Sequence, residues 1–284
     1  VLYALAGAID RSTEPLGSQA IGNGLNGLQH FNIEESKAAS AVLAALLPRI
    51  LACREPLTLK TIGGAVSGLR SSSAAGPTVR HILHFLTDSI LAQPEMALDN
   101  FSLSSALHGL RNMSDDHREV RAFVAAMAAL VDRAPGMWDA KTVANSLLGV
   151  SGMRQGSRES RSLVRAITAK ITPGVDDAAD YYHNLGLCLY GIKSTSMCKD
   201  VRVLLSKLEE KVTAQPKALV ERDVSFALFG LKNKSSKHPE VRAMISALAM
   251  NLAMSTATMS ARSASMCVQG LSRQGRRASS TVAV

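Results

Sequence analysis

A glycine followed by an aliphatic residue recurs seven times along the chain, at Gly27, Gly68, Gly109, Gly149, Gly191, Gly230 and Gly270, with successive glycines 39 to 42 residues apart. Self-similarity on that scale marks repeat architectures, in which each unit buries its apolar face only by stacking on its neighbours. Counting back from each glycine, an apolar residue or Ala stands six before, a small residue three before and a mainly apolar residue two before. Leu103, Ala106, Leu107 and Leu110 show the pattern in one unit, and Val224, Ala227, Leu228 and Leu231 in another. This spacing is one face of an α-helix. The small position reads Gly24, Ala65, Ala106, Ser146, Cys188, Ala227 and Cys267 along the chain, so a neighbouring helix can approach closely there, helped by the glycine on the next turn.

About eleven residues after each glycine a second apolar stripe opens, as in Val79, Ile82, Leu83, Leu86 and Ile90. Residues typical of turns and N-caps lie between the stripes, so each unit reads as a helical hairpin. Asp99, Asp139 and Asp180 are placed to cap first helices, and Pro239 with Glu240 opens a second one. The expected fold is all-α, an α-solenoid of stacked hairpins with a period of about 40 residues. Its units are 17–57, 58–98, 99–138, 139–179, 180–219 and 220–259, flanked by a partial unit at 1–16 and by a partial unit with a basic tail at 260–284. Val1–Leu28 aligns without gaps on Val42–Leu69, so the chain is expected to start inside a second helix, with sequence missing ahead of it.

Composition agrees with helices. Aromatic residues make up only 4% of the 284, against 46% hydrophobic residues overall, which suits close-packed helices better than sheets. Cys53, Cys188, Cys198 and Cys267 form neither a disulfide framework nor a zinc motif, and a reducing compartment is expected. Apolar runs such as Val124–Val131 fall far short of the roughly 18 to 20 residues that cross a bilayer, so no membrane insertion is expected. The net charge of +9 is concentrated after residue 200, where thirteen Lys or Arg face five Asp or Glu. A one-ended positive field fits a polyanionic partner or a solubilising surface.

Two rows of cations repeat with the pattern. Arg70, Arg111, Arg154, Lys193, Lys232 and Arg273 lie just beyond the glycines, where stacking would align them to follow a phosphate backbone, or where they cap helix C-termini. Arg80, Arg121, Arg161, Arg202 and Arg242 fall in the first turn of the second helix. The helix dipole disfavours a cation there, so a structural ladder to an acid or carbonyl of the next unit is expected.

The positions four and one before each glycine vary: Asn23/Asn26, Gly64/Ser67, Ser105/His108, Asn145/Leu148, Leu187/Tyr190, Phe226/Phe229 and Met266/Gln269. Amides, His and aromatics at one pair per unit suit base reading along a single strand, or packing against a partner or an adjoining hairpin. No catalytic constellation, cofactor motif or metal set stands out. His81 and His84 lack a third ligand, and Asp115–Asp116 and Asp176–Asp177 lack a partner base. A non-catalytic protein without a cofactor or small-molecule substrate is expected.

The units FALFGLKNKSSKHPEVRAMISALA and SSALHGLRNMSDDHREVRAFVAAMA resemble those of organellar helical-hairpin repeat proteins, the octotricopeptide repeat class in particular. That resemblance implies single-stranded RNA binding in organellar RNA metabolism, in a mitochondrion or plastid. HEAT-like repeats share the period and use Asp/Arg ladders. The alternative they imply is a protein-protein interaction scaffold, with Leu187, Tyr190, Phe226 and Phe229 as its partner face.

Overall fold

The computed structural model describes residues 1–154, 156–172, 181–214, 216, 218–255 and 258–272. Among them the chain is all-helical, with fourteen α-helices and no strand beyond a single bridge between Trp138 and Ile171. In chain order the helices are α1 (Leu2–Arg11), α2 (Ser18–Asn26), α3 (Lys37–Leu51), α4 (Leu59–Gly68), α5 (Pro77–Leu91), α6 (Asn100–Gly109) and α7 (Arg118–Arg133). They continue with α8 (Ala140–Leu148), α9 (Arg158–Ala169), α10 (Tyr181–Gly191), α11 (Lys199–Ala214), α12 (Glu221–Gly230), α13 (Pro239–Ala253) and α14 (Ala261–Leu271). Even-numbered helices are short and carry the glycines at their C-terminal ends. From α3 onward the odd-numbered ones are longer.

Local chemistry sets the helix starts. Thr58, Asp99, Asp139 and Ser260 each accept the amide three residues on, at 3.2, 2.7, 2.6 and 3.3 Å, and so cap α4, α6, α8 and α14. Ser36 and Ser157 cap α3 and α9 in the same way. Each such cap contributes about 1 kcal/mol. Pro77 and Pro239 occupy the first position of α5 and α13, where no amide is needed. Asp180, expected to cap α10, lies outside the described residues.

Each even helix packs on the even helices before and after it, and each odd helix on its odd neighbours, giving two rows. The apolar stripe of the short helices is buried between them: Ile21, Ile62, Leu103, Val143, Leu185 and Val224 are at most 4% exposed. What sets the separation within the even row is backbone against backbone. A Cβ built on Gly68 would collide with the Leu25 carbonyl, and Gly109 likewise meets Val66, Gly149 Leu107, Gly191 Leu147, Gly230 Leu189 and Gly270 Leu228. In every case the carbonyl belongs to the residue two before the preceding glycine. The pattern holds for all six glycines that have a preceding unit.

A second close approach points the other way along the row. A Cβ on Gly63 or Gly186 would stand 2.8 or 2.9 Å from the carbonyl of Ser102 or Asp223 in the next unit. The same position, five before the glycine, holds buried Ser104, Ala144 and Ser225 in other units. These small residues form a column that the sequence reading did not single out.

Beyond the glycines the chain turns through a bond from the fourth residue after the glycine to the carbonyl just after it, as in Met113 to Leu110 (2.8 Å), Met153 to Val150 (3.0 Å) and Lys234 to Leu231 (2.8 Å). The fourth residue plugs the loop, and Met113, Met153 and Lys234 are fully buried. The Lys234 ammonium donates to the Ile192 carbonyl (2.7 Å), to the Thr195 carbonyl and to Thr195 Oγ1 (3.2 Å). Burial lowers its pKa to about 8.

Gly109→Ala or Gly191→Ala should each cost about 3 kcal/mol by forcing successive short helices apart, whereas Gly24→Ala, which meets nothing within 4 Å, should stabilise α2 by up to about 1 kcal/mol; urea midpoints read both. For Lys234, the folded-state pKa lies below the unfolded one, so the unfolded chain holds more protons between them and stability rises with pH across that window. The difference in unfolding free energy between the natural chain and Lys234→Met should therefore grow in favour of the natural chain from about pH 8 toward 10.5. A flat difference over that range refutes the assignment.

Candidate functional site

The short helices share one face. Positions four and one before the glycine fall on it together, at helical spacing i, i+3, and in the interior units they are half-buried: Ser67, Ser105, His108, Asn145, Leu148, Leu187, Tyr190, Phe226 and Phe229. Asn26 is half-buried as well, while Asn23 and Gln269 near the two ends are exposed. Along α2, α4 and α6 this face forms an open groove of 740 Å³, lined among others by Asn23, Asn26, Ser67 and Ser105.

The cations just beyond the glycines come onto the same face. Arg111 Nη1 lies 3.3 Å from His108 Nε2, the Lys193 ammonium stands 3.6 Å above the Tyr190 ring, and that of Lys232 4.6 Å above Phe229. Each cation therefore leans on the side chain one before the glycine of its own unit. Tyr190 in turn meets Phe226 edge-on at 5.4 Å and Phe229 in a stacked arrangement at 5.9 Å, so aromatic contact runs across the boundary between two units. Such pairs contribute about 1 kcal/mol beyond their burial.

The electrostatics of the row are one-signed. Arg70, Arg111, Lys193 and Lys232 have no ion pair with a carboxylate among the described residues. Burial first, then Arg111 and Arg70, lowers the His108 pKa to about 4. The imidazole is neutral at pH 7, and because a guanidinium only donates, Nε2 accepts from Arg111 and the ring proton sits on Nδ1. Burial and the neighbouring Arg70 lower the Arg111 pKa too, and Tyr190 two units on lies within its electrostatic reach.

Backbone carbonyls in this row are tied from unit to unit. Ser71 Oγ donates to the Gln29 carbonyl (2.9 Å), Asn112 Nδ2 to Arg70 (2.8 Å), Ser151 Oγ to Arg111 (2.8 Å) and Asn233 Nδ2 to Lys193 (3.1 Å). These anchors were not anticipated. The signal for them was the small polar residue recurring two or three positions after the glycine. Arg154 stands outside this register: Ser151 occupies the place two after Gly149, and Arg154 is exposed three residues further on. Arg273 lies outside the described residues.

The other arginine row is held differently. Arg80 Nη1 donates to the carbonyls of Ala74 and Ala75, Arg121 Nη1 to Asp115 (2.8 Å) and Asp116 (2.9 Å), and Arg242 Nη1 to Ser236 (2.6 Å) and Lys237 (3.0 Å). Each guanidinium thus curls back five and six residues into its own loop, not into the next unit's carbonyls. Bonds to the next unit's acid occur at Arg202–Glu240 (2.8 Å) and, weakly, at Arg80–Glu119 (4.0 Å). Arg161 holds the same place in α9, and Gln155, six residues before it in the sequence, lies outside the described residues.

Other candidates resolve into packing. Asp115 is buried, and its carboxylate accepts the Ser157 amide at the start of α9 (3.1 Å), while Asp176 and Asp177 lie outside the described residues. His81 and His84 are exposed, with His84 beside Asp88 at 3.2 Å. Cys188 and Cys267 fill the small position of their helices. Burial pushes the Cys188 thiol up to about 12 and raises that of Cys267, which disfavours thiolate chemistry. Among the described residues no three His, Cys, Asp or Glu are grouped to hold a metal ion, and no helix is long and apolar enough to cross a membrane. No family model, curated protein or solved structure matches the chain.

The depressed His108 pKa gives a direct test. As pH falls below about 6.5 the unfolded chain takes up this proton before the folded one, so stability declines through that window toward about pH 4. An NMR titration of the ring should show a midpoint near 4, moving upward in Arg111→Ala. A midpoint near 6.5 in the natural chain would contradict the buried, Arg-flanked geometry.

Proposed function

We propose that the hairpins form an α-solenoid with a period of about forty residues, and that the shared face of its short helices binds single-stranded RNA. The observation that carries this reading is the contact between the two columns. Arg111 on His108, Lys193 on Tyr190 and Lys232 on Phe229 place a cation without a carboxylate partner beside a ring in three units. Cations beside aromatic and polar side chains are what a single strand needs: charge for the backbone, and flat faces and hydrogen-bonding edges for unstacked bases. The resemblance of the units to the octotricopeptide class supports the same conclusion.

Backbone contacts release counterions, so affinity for a labelled random-sequence RNA should fall steeply with salt, by about 0.7 in log–log slope per phosphate contacted. The triple variant Arg111→Glu, Lys193→Glu and Lys232→Glu should lose roughly 100-fold or more in affinity at physiological salt, read by fluorescence anisotropy. Retention of RNA that is indifferent to salt, or no retention, rejects the reading.

A second reading has its own observation. Tyr190, Phe226 and Phe229 form one mutually packed patch beside Leu187, a surface that suits an apolar protein partner. It predicts capture of a defined protein that survives nuclease and is lost in Phe229→Ala.

A further inference from the structure

The residue eight before each glycine falls on the same face as the variable pair, because positions eight, four and one before the glycine follow helical spacing. Along the chain it reads Gln19, Lys60, Phe101, Lys141, His183, Arg222 and Arg262. Lys60, Lys141, Arg222 and Arg262 are exposed in the first turn of α4, α8, α12 and α14. A cation in the first turn opposes the helix dipole, so helix capping does not explain this row. Nor do ion pairs. Among the described residues Lys60, Lys141 and Arg262 have none, and Arg222 lies 3.7 Å from the adjacent Asp223, which His183 also contacts at 3.1 Å. The helix ends themselves are not the attraction, since Thr58, Asp139 and Ser260 already cap three of these four helices.

We propose that this row is a second set of phosphate contacts, parallel to the row beyond the glycines, and that the strand lies between the two with its bases over the variable positions. The proposal rests on the RNA-binding reading. Ten residues separate Lys60 from Arg70 and Arg222 from Lys232, roughly 15 Å at 1.5 Å per residue, so in these two units both edges of the face are positive and the variable pair lies between them. The row is interrupted at Gln19, Phe101 and His183, and at Phe101 the replacement is a ring that is 79% exposed and lines the same 740 Å³ groove as Asn23, Asn26, Ser67 and Ser105. An aromatic ring left in solvent among amides and hydroxyls is a stacking platform for a base, with hydrogen-bonding groups beside it for the base edge. Glu55, the carboxylate lining this groove, is engaged by the Ser18 amide at 2.6 Å.

The experiment compares two quadruple variants that remove the same charge. One changes the row itself, Lys60→Gln, Lys141→Gln, Arg222→Gln and Arg262→Gln. The other changes exposed cations in the first turns of long helices, Lys37→Gln, Arg118→Gln, Arg158→Gln and Lys199→Gln. Affinity for a labelled single-stranded RNA is measured from low to high salt. The first variant should lower the log–log salt slope by about 3 and weaken binding roughly 100-fold at physiological salt, with a thermal midpoint equal to or above that of the natural chain because the dipole penalty is removed. The second should leave the slope unchanged. Equal slopes for the two variants, changed or not, overturn the second row while leaving RNA binding itself in place. Absence of binding by the natural chain instead removes the underlying reading and this inference with it. Phe101→Ala should cost about tenfold in affinity at constant slope, and unchanged affinity removes the platform from the proposal.

Discussion

The architecture depends on a contact between main-chain atoms, the Cα of each glycine against the carbonyl two residues before the previous glycine. Six consecutive instances leave no room for a methyl group, and two helices in such contact cannot slide or tilt without breaking it. Everything on the exposed face inherits its register from there. The side chains four and one before the glycine, and the cation two after it, project from helices whose spacing has already been fixed beneath them.

Secondary interactions preserve that register at the edges. Serine and asparagine side chains tie the carbonyls of Gln29, Arg70, Arg111 and Lys193 to the following unit. Arginines in the first turn of α5, α7 and α13 gather the carbonyls of the preceding loop. Those arginines answer the difficulty posed by a cation at a helix N-terminus: two carbonyl dipoles offset the unfavourable macrodipole. One group of cations is thereby consumed by structure. Of the others, at the two edges of the short helices, Lys60, Lys141, Arg222 and Arg262 are exposed, and Arg70, Arg111, Lys193 and Lys232 are half-buried.

How much of this was legible in the sequence follows from the range of each interaction. Helix starts capped by Asp99 and Asp139 were readable because a cap acts over three residues. The glycines and the apolar stripe were readable because they recur, and recurrence reports a shared environment even when the environment is unseen. The small column holding Gly63, Ser104 and Ala144 was harder, since Gly, Ser and Ala read as different residues until their shared burial, with the next helix's backbone against Gly63, is known. Arg154 entered the edge row because its unit offered no nearer cation, whereas the structure gives that register to Ser151. The loop carbonyls that hold Arg121 and Arg242 carry no sequence signature at all. Nothing in the sequence sets Lys234 apart from a surface lysine, yet it plugs a loop where other units place Met113 and Met153, because three oxygens converge on its ammonium.

A contact between backbones is indifferent to what the neighbouring side chains display, and this shapes how such a surface meets whatever it binds. Because the spacing is set by glycine against carbonyl, the RNA-binding face proposed above would need little ordering of its helices on association. Asn can replace Phe at a variable position without disturbing the joint underneath. The face can therefore be altered one unit at a time on a frame that does not notice the edit.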